Sequence, residues 1–162
     1  MFSKTKQTEE FWQAYARHAD RADADYVVVA FGDNPEMATE LAALVVSGVK
    51  RATASLMREF SSPDNPLPKV GDFVVIVDGT GNPQCIYQTT EIEIKPLIAA
   101  DERFALDEGE GDRTLDWWLA AHRQYFGRQA ARDGFKMYDD IETVFERFEI
   151  VWPLSLLQSD KH

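Results

Sequence analysis

The segment Gly48-Val49-Lys50-Arg51-Ala52-Thr53-Ala54-Ser55 joins a helical pattern to a strand-like run, and the reading of the whole chain turns on it. Upstream, Asp33-Asn34-Pro35-Glu36 is a helix start. Asn34 can cap, proline suits the first helical position, and a glutamate follows in the first turn. Met37, Leu41, Leu44 and Val45 form the apolar stripe of that helix. Gly48 closes it, because glycine takes a left-handed backbone past a helix end without a Cβ penalty. Downstream, Ala52 to Leu56 reads as a strand. The junction therefore displays an ammonium, Lys50, and a hydroxyl, Thr53. Residues three apart in a regular strand point to opposite faces, so the two converge only if Lys50 lies in the turn. In that case Thr53 is a candidate nucleophile and Lys50 the nearest group to take its proton.

Working outward, residues 8–19 carry Phe11, Trp12, Tyr15, Ala16 and Ala19 at helical spacing, with Thr8 available as a cap. The run 26–31 (YVVVAF) is short, apolar and β-branched, as in a buried strand. The three prolines of 61–71 mark a loop. Segments 71–78 and 85–96 flank a turn-rich cluster and read as a hairpin. Residues 101–114 are acidic and glycine-containing. From 114 to 132 a long helix carries Leu115, Trp118, Leu119, His122 and Phe126 on one face. Residues 142–153 read as a strand whose alternation is broken, as when both faces are partly buried, and the tail beyond Pro153 is expected to fray or pack locally. Helices inserted among strands joined by turns argue for an α+β domain, and a small antiparallel barrel would abolish most strand edges.

A chain of 162 residues suits one domain. No apolar run reaches the length of a membrane span, and MFSKTKQTEEFW has no apolar signal core. The single cysteine, Cys85, lies in a strand pattern as a small core residue, and a reduced, cytoplasmic protein is the plain expectation. The net charge of -11, with Lys50, Arg51 and Arg58 as the one local basic cluster, weighs against tight non-specific binding of long nucleic acid. It leaves room for a pocket that takes one base or nucleoside. No DNA and no membrane partner is expected.

FGDNPE (31–36), GVKRAT (48–53), LPKVGD (67–72), FALDEGEGD (104–112) and ERFEIVWP (146–153), in that order and spacing, together resemble the ASCH family. The resemblance implies a PUA-like fold, a small, mostly antiparallel β-barrel flanked by helices, with a cleft. It divides the chain into an N-terminal helical extension (1–25), an ASCH domain (26–153) and a tail (154–162). It implies RNA or a modified nucleoside as partner. Some small bacterial members hydrolyse N4-acetylcytidine with the lysine and threonine of a GxKxxT motif and a downstream glutamate. Carried over by position, these are Lys50, Thr53 and Glu108. A longer bacterial relative is described as a single-stranded RNA nuclease, and other members are presumed RNA binders.

Each candidate has a plainer reading. Lys50 as a base must be neutral, which requires desolvation. If Glu108 touches it, Lys50 is instead an electrostatic stabiliser and Glu108 the proton carrier. Thr53 is also simply a good strand residue or a ligand contact, and Ser55 is a substitute hydroxyl on the same face. Glu108, Glu110 and Asp112 alternate and could hold Mg²⁺ or Mn²⁺ under the nuclease alternative. For Glu110 and Asp112 we take the plainer reading, charge at the start of the next helix. No metal and no cofactor is assigned under the hydrolase reading. His122 is read as a core residue. Trp117 can stack on a base, and Arg58 and Arg113 can meet a ligand. Lys50→Ala or Glu108→Ala is expected to abolish acetate release from N4-acetylcytidine without unfolding the protein.

Overall fold

In the computed structural model, which describes residues 3–159, the junction forms at a helix end as its residues require. Helix α1 (Lys6–Ala19) and strand β1 (Val27–Val29) precede helix α2 (Pro35–Val46) and strand β2 (Ala52–Leu56). The Asn34 side chain accepts from the Met37 backbone N–H at 2.8 Å, which caps α2. Gly48, at φ +84°, turns the chain out of it. Thr5, not Thr8, caps α1; Thr8 sits in its first turn and completes a capping box with Thr5.

Strands β3 (Phe73–Val77) and β4 (Pro83–Pro96) form the expected hairpin. Helix α3 (Glu102–Glu108), helix α4 (Leu115–Asp133), strand β5 (Glu142–Trp152) and helix α5 (Leu154–Ser159) complete the chain. The acidic segment is thus partly helical. Asp101 caps α3 by accepting from Phe104, and burial of Phe104 and Ala105 holds it in place. Seven residues with one apolar turn carry too little periodicity to be read as a helix from sequence. The segment 154–159, expected to fray or pack, is also a short helix, and Leu156 packs on the core.

The five strands lie in the order β1-β3-β4-β5-β2 and make one curled half-barrel sheet. Only β1–β3 is parallel; the other pairings are antiparallel. Alternation along the strands gives the sheet two apolar faces. On one, Val28, Phe73, Val75 and Ile86 bury against Trp12, Tyr15 and Ala16 of α1. On the other, Val74, Ile76, Tyr87 and Phe148 bury against Leu41, Ala42 and Val45 of α2. A third cluster joins β2 and the start of β5 to α3 and α4 through Leu56, Phe145, Phe104, Trp118 and Phe126. The two edge strands curl towards the same hollow, so one face of every strand lines it.

Candidate functional site

That hollow is a cavity of about 490 Å³, a size suited to one small organic molecule. Val27 and Val29 of β1, Val74 of β3, Tyr87 of β4, Glu146 of β5, and Thr53 and Ser55 of β2 form its sheet side. Lys50, Glu108, Glu110, Trp117 and His122 close the other side.

Lys50 does lie in the turn. Its backbone N–H donates to Leu44 O at the end of α2, and the neighbouring Arg51 N–H donates to Asp107 O of α3. The side chain is 1 % exposed. Its ammonium donates to Ala52 O at 2.8 Å, to Glu110 Oε2 at 2.8 Å and to Glu108 Oε2. Three donors are all an ammonium has, so each is committed. Burial on its own lowers the proton affinity of Lys50, but Glu108 and Glu110 outweigh it and push the ammonium above the usual lysine range. Lys50 is therefore a fixed cation and not a base.

The two carboxylates reach one ammonium because of a glycine. Glu108 is the last residue of α3, and Gly109 takes the left-handed conformation at φ +73°. This reversal brings Glu110 back to the same point. A Cβ on Gly109 would lie 2.5 Å from Val49 O and 3.0 Å from Lys50 Cα. Gly109→Ala is accordingly expected to destabilise the protein by more than about 1–2 kcal/mol, the ordinary cost of an L residue in this region, since the clash adds to it. A urea transition measures this, and an unchanged midpoint would show that the turn is not held as described. Gly111 plays a second role: a Cβ there would meet the Trp117 ring at 2.1 Å, so its absence lets the indole lie flat on the turn. Trp117 stands on the cavity rim, 37 % exposed.

His122 completes the cluster. Its Nδ1 lies 2.9 Å from the Trp118 carbonyl, and its ring stacks on the Trp118 indole with 3.9 Å between centroids. The carbonyl can only accept, so the Nδ1 proton is fixed there. Nε2 is 3.3 Å from Glu108 Oε1, but is misaligned for a hydrogen bond, and that oxygen has no hydrogen-bond partner among the described residues. Burial opposes ionisation of Glu108; Lys50, then His122, outweigh it and hold its carboxyl well below the usual carboxylate range. Glu110 goes the other way. Burial pushes its carboxyl up, Lys50 pulls it down, and the charge on Glu108 pushes it up again, leaving it at about 7.

The structure thus brings together Lys50, Thr53, Ser55, Glu108 and Trp117 around one cavity. It does not bring Arg58 or Arg113 there. The Arg58 guanidinium lies 3.7 Å from the centroid of the Phe135 ring. Arg113 lines a separate depression with Arg103, Leu106 and Leu115. Asp112 accepts from Thr114 N–H and Oγ1 outside the cluster. Glu110 and His122, set aside on sequence, stand inside it. The available signals were the second glutamate of EGEG and a lone imidazole on an aromatic helix face.

Glu108, Glu110 and His122 each offer a ligand atom, and these atoms lie within 4.8 Å of one another. An imidazole in the set suits Mn²⁺ or Zn²⁺ better than Mg²⁺. The Lys50 ammonium already bridges the two carboxylates, so a divalent ion would have to displace it from at least one.

Comparison with known proteins places these features in a family. The ASCH domain matches residues 27–152. The fold is similar to the crystal structure of an ASCH domain from Lactobacillus crispatus JV V101, at 28 % identity and a TM-score of 0.84, over 91 % of this chain and 96 % of that one. It is also similar to a protein from Enterococcus faecalis V583, at 36 % identity and a TM-score of 0.82, over 90 % and 88 % of the two chains. No curated protein matches. With the half-barrel, the GVKRAT junction and the EGEGD turn meeting at one cavity, the chain belongs to the ASCH family, whose domains are generally RNA-binding.

Proposed function

We propose that the cavity holds a pyrimidine nucleoside acylated on its exocyclic nitrogen, such as N4-acetylcytidine, and hydrolyses the amide. The observation that carries this reading is geometric: Thr53 and the Lys50–Glu108–Glu110 cluster face one small cavity. Burial and the neighbouring charge on Glu108 raise the Glu110 carboxyl to about 7. A group that changes charge near neutrality is suited to take and return a proton in one turnover. Glu110 takes a proton from the water that attacks the acyl carbon. The Thr53 hydroxyl donates to the oxygen on which charge develops. The C–N bond breaks as Glu110 returns the proton to the leaving nitrogen, releasing acetate and the free amine. Lys50 and Glu108 do not exchange protons in this scheme. They hold Glu110 in place and set its affinity for the proton. The partner is then a nucleoside or a modified base in single-stranded RNA, and no cofactor is needed.

Acetate release from N4-acetylcytidine tests the reading. Release is expected from the wild-type protein with EDTA present. Thr53→Val keeps the shape of the strand residue and removes its donor, and is expected to lower the rate by about 100–1,000-fold, as for loss of one oxyanion donor. An unchanged rate in Thr53→Val removes that hydroxyl from the chemistry. A second reading, a metal-dependent nuclease on single-stranded RNA, draws on the three clustered ligand atoms of Glu108, Glu110 and His122. It gains if RNA is cut only with added Mn²⁺ and the acetylated nucleoside is untouched. Salt separates both from plain RNA binding, because phosphate-driven binding weakens steeply as salt rises.

A further inference from the structure

The concave face carries a carboxylate that the chemistry above does not use. Glu146 is 6 % exposed and lines the cavity. The β2–β5 register sets it directly opposite Thr53. Directly opposed residues of an antiparallel pair share a face, so its carboxylate is the cross-strand neighbour of the Thr53 hydroxyl. Thr89 Oγ1 donates to Glu146 Oε2 at 2.8 Å, and the Tyr87 hydroxyl is a second donor to the carboxylate. Burial raises the Glu146 carboxyl above the usual carboxylate range, and the hydrogen bonds it accepts oppose that. In its ionised form it offers about four acceptor positions, so acceptor capacity remains towards the cavity.

The cations on the cavity wall are committed elsewhere, Lys50 to Glu108 and Glu110, and Arg128 to Asp33. Against them the wall presents Glu59, Asp72 and Glu146 besides the Lys50 pair. A phosphate inside this cavity would meet carboxylates and, among the described residues, no free clamp. A base that presents N–H donors would find acceptors.

We infer that Glu146 reads the base: its carboxylate accepts a hydrogen bond from the exocyclic N–H at position 4 of a cytosine-type ligand. The identity of the ligand rests on the amidohydrolase reading. Cytosine presents a donor at that position and uracil an acceptor, and glutamate is a fitting acceptor for the cytosine amino group. Opposite a carboxylate, the uracil carbonyl leaves two acceptors facing each other.

Calorimetric titration of the full chain with cytidine and with uridine at pH 7.5 tests the assignment. Cytidine is expected to bind at least about tenfold more tightly than uridine, near the low end of discrimination by one good base-edge contact. Glu146→Gln is expected to narrow the ratio to about threefold or less, because an amide can donate to the uracil oxygen as well as accept. A wild-type ratio near one overturns the inference, as does failure to bind either nucleoside. So does a folded Glu146→Gln protein that keeps the wild-type ratio. If that variant does not fold, Thr89→Val removes the hydroxyl that orients Oε2, and the ratio should narrow in the same direction; an unchanged ratio there counts against the assignment. Acetate release is read separately. A cytidine preference without hydrolysis sinks the amidohydrolase reading and leaves Glu146 assigned. Hydrolysis by a protein that binds cytidine and uridine alike does the reverse.

Discussion

Lys50→Met is expected to lower the unfolding free energy by about 3–5 kcal/mol near neutral pH, the usual cost of removing one partner from a buried ion pair. The expected loss is large because Lys50 and Glu108 are both 1 % exposed and Glu110 depends on the same ammonium. Methionine fills the space of the lysine stem, so the change reports the charge and not a cavity. Without the ammonium, two carboxylates face each other out of water. The deficit should shrink as pH falls and first Glu110, then Glu108, takes a proton. Urea unfolding across that range measures it. A variant within about 1 kcal/mol of wild type at pH 7.5 would mean that water reaches the cluster and that the triad is not a buried unit. The expectation that Lys50→Ala leaves the fold untouched is revised on the same ground. Acetate release should vanish in either variant, but loss of activity alone would not separate chemistry from stability.

Glu110→Gln is expected to lower acetate release by about 100–10,000-fold, the range for removing a positioned general base, and to erase the pH dependence near neutrality. In the wild-type protein the rate should rise with pH and level off above about 7, where Glu110 becomes ionised. Glu108, held ionised, should add no limb in this range. The stability effect has the opposite sense. The Glu110 carboxyl stands at about 7 in the folded protein against an ordinary value of 4.5, so folding favours its neutral form. Wild-type stability attributable to this group is complete below about 4.5 and declines as pH rises through about 7. The glutamine variant escapes that decline. It should therefore gain stability over wild type between those values, hold the gain above them, and match wild type in acid. Under the amidohydrolase reading, a slower yet more stable variant is the pattern expected where a buried group is kept for function at a cost in stability. A Glu110→Gln protein that keeps the wild-type limb would assign that limb to another group.

Much of this was legible in the chain. Asn34-Pro35 and Gly48 are local capping devices, and they delimit α2 where the structure has it. The β3–β4 hairpin follows from two strand runs around a turn cluster. Lys50, Thr53 and Glu108 came from a motif and do share one cavity. The roles within it were less legible. Glu110 was read as charge at the start of the next helix, whereas its environment is set by Lys50, sixty positions away. His122 reads as core on its own helix, and only the packing of α3 against α4 turns Nε2 towards Glu108. Arg58 looked placed for a ligand beside the basic junction, yet the turn after β2 carries it over Phe135.

The sequence by itself determined the longer helices and the strands, where the helix before the junction ends, and that a cation and a hydroxyl would emerge at one turn, while the short helices α3 and α5 escaped it. These depend on caps, periodicity and backbone preference, which act over a few residues. Only the tertiary structure decided which carboxyl is locked in its charged form, which one titrates near neutrality, and which faces Thr53 across the sheet. Those outcomes depend on burial and on charges brought together from distant positions, and proton affinity responds to that surrounding field, not to the neighbours along the chain.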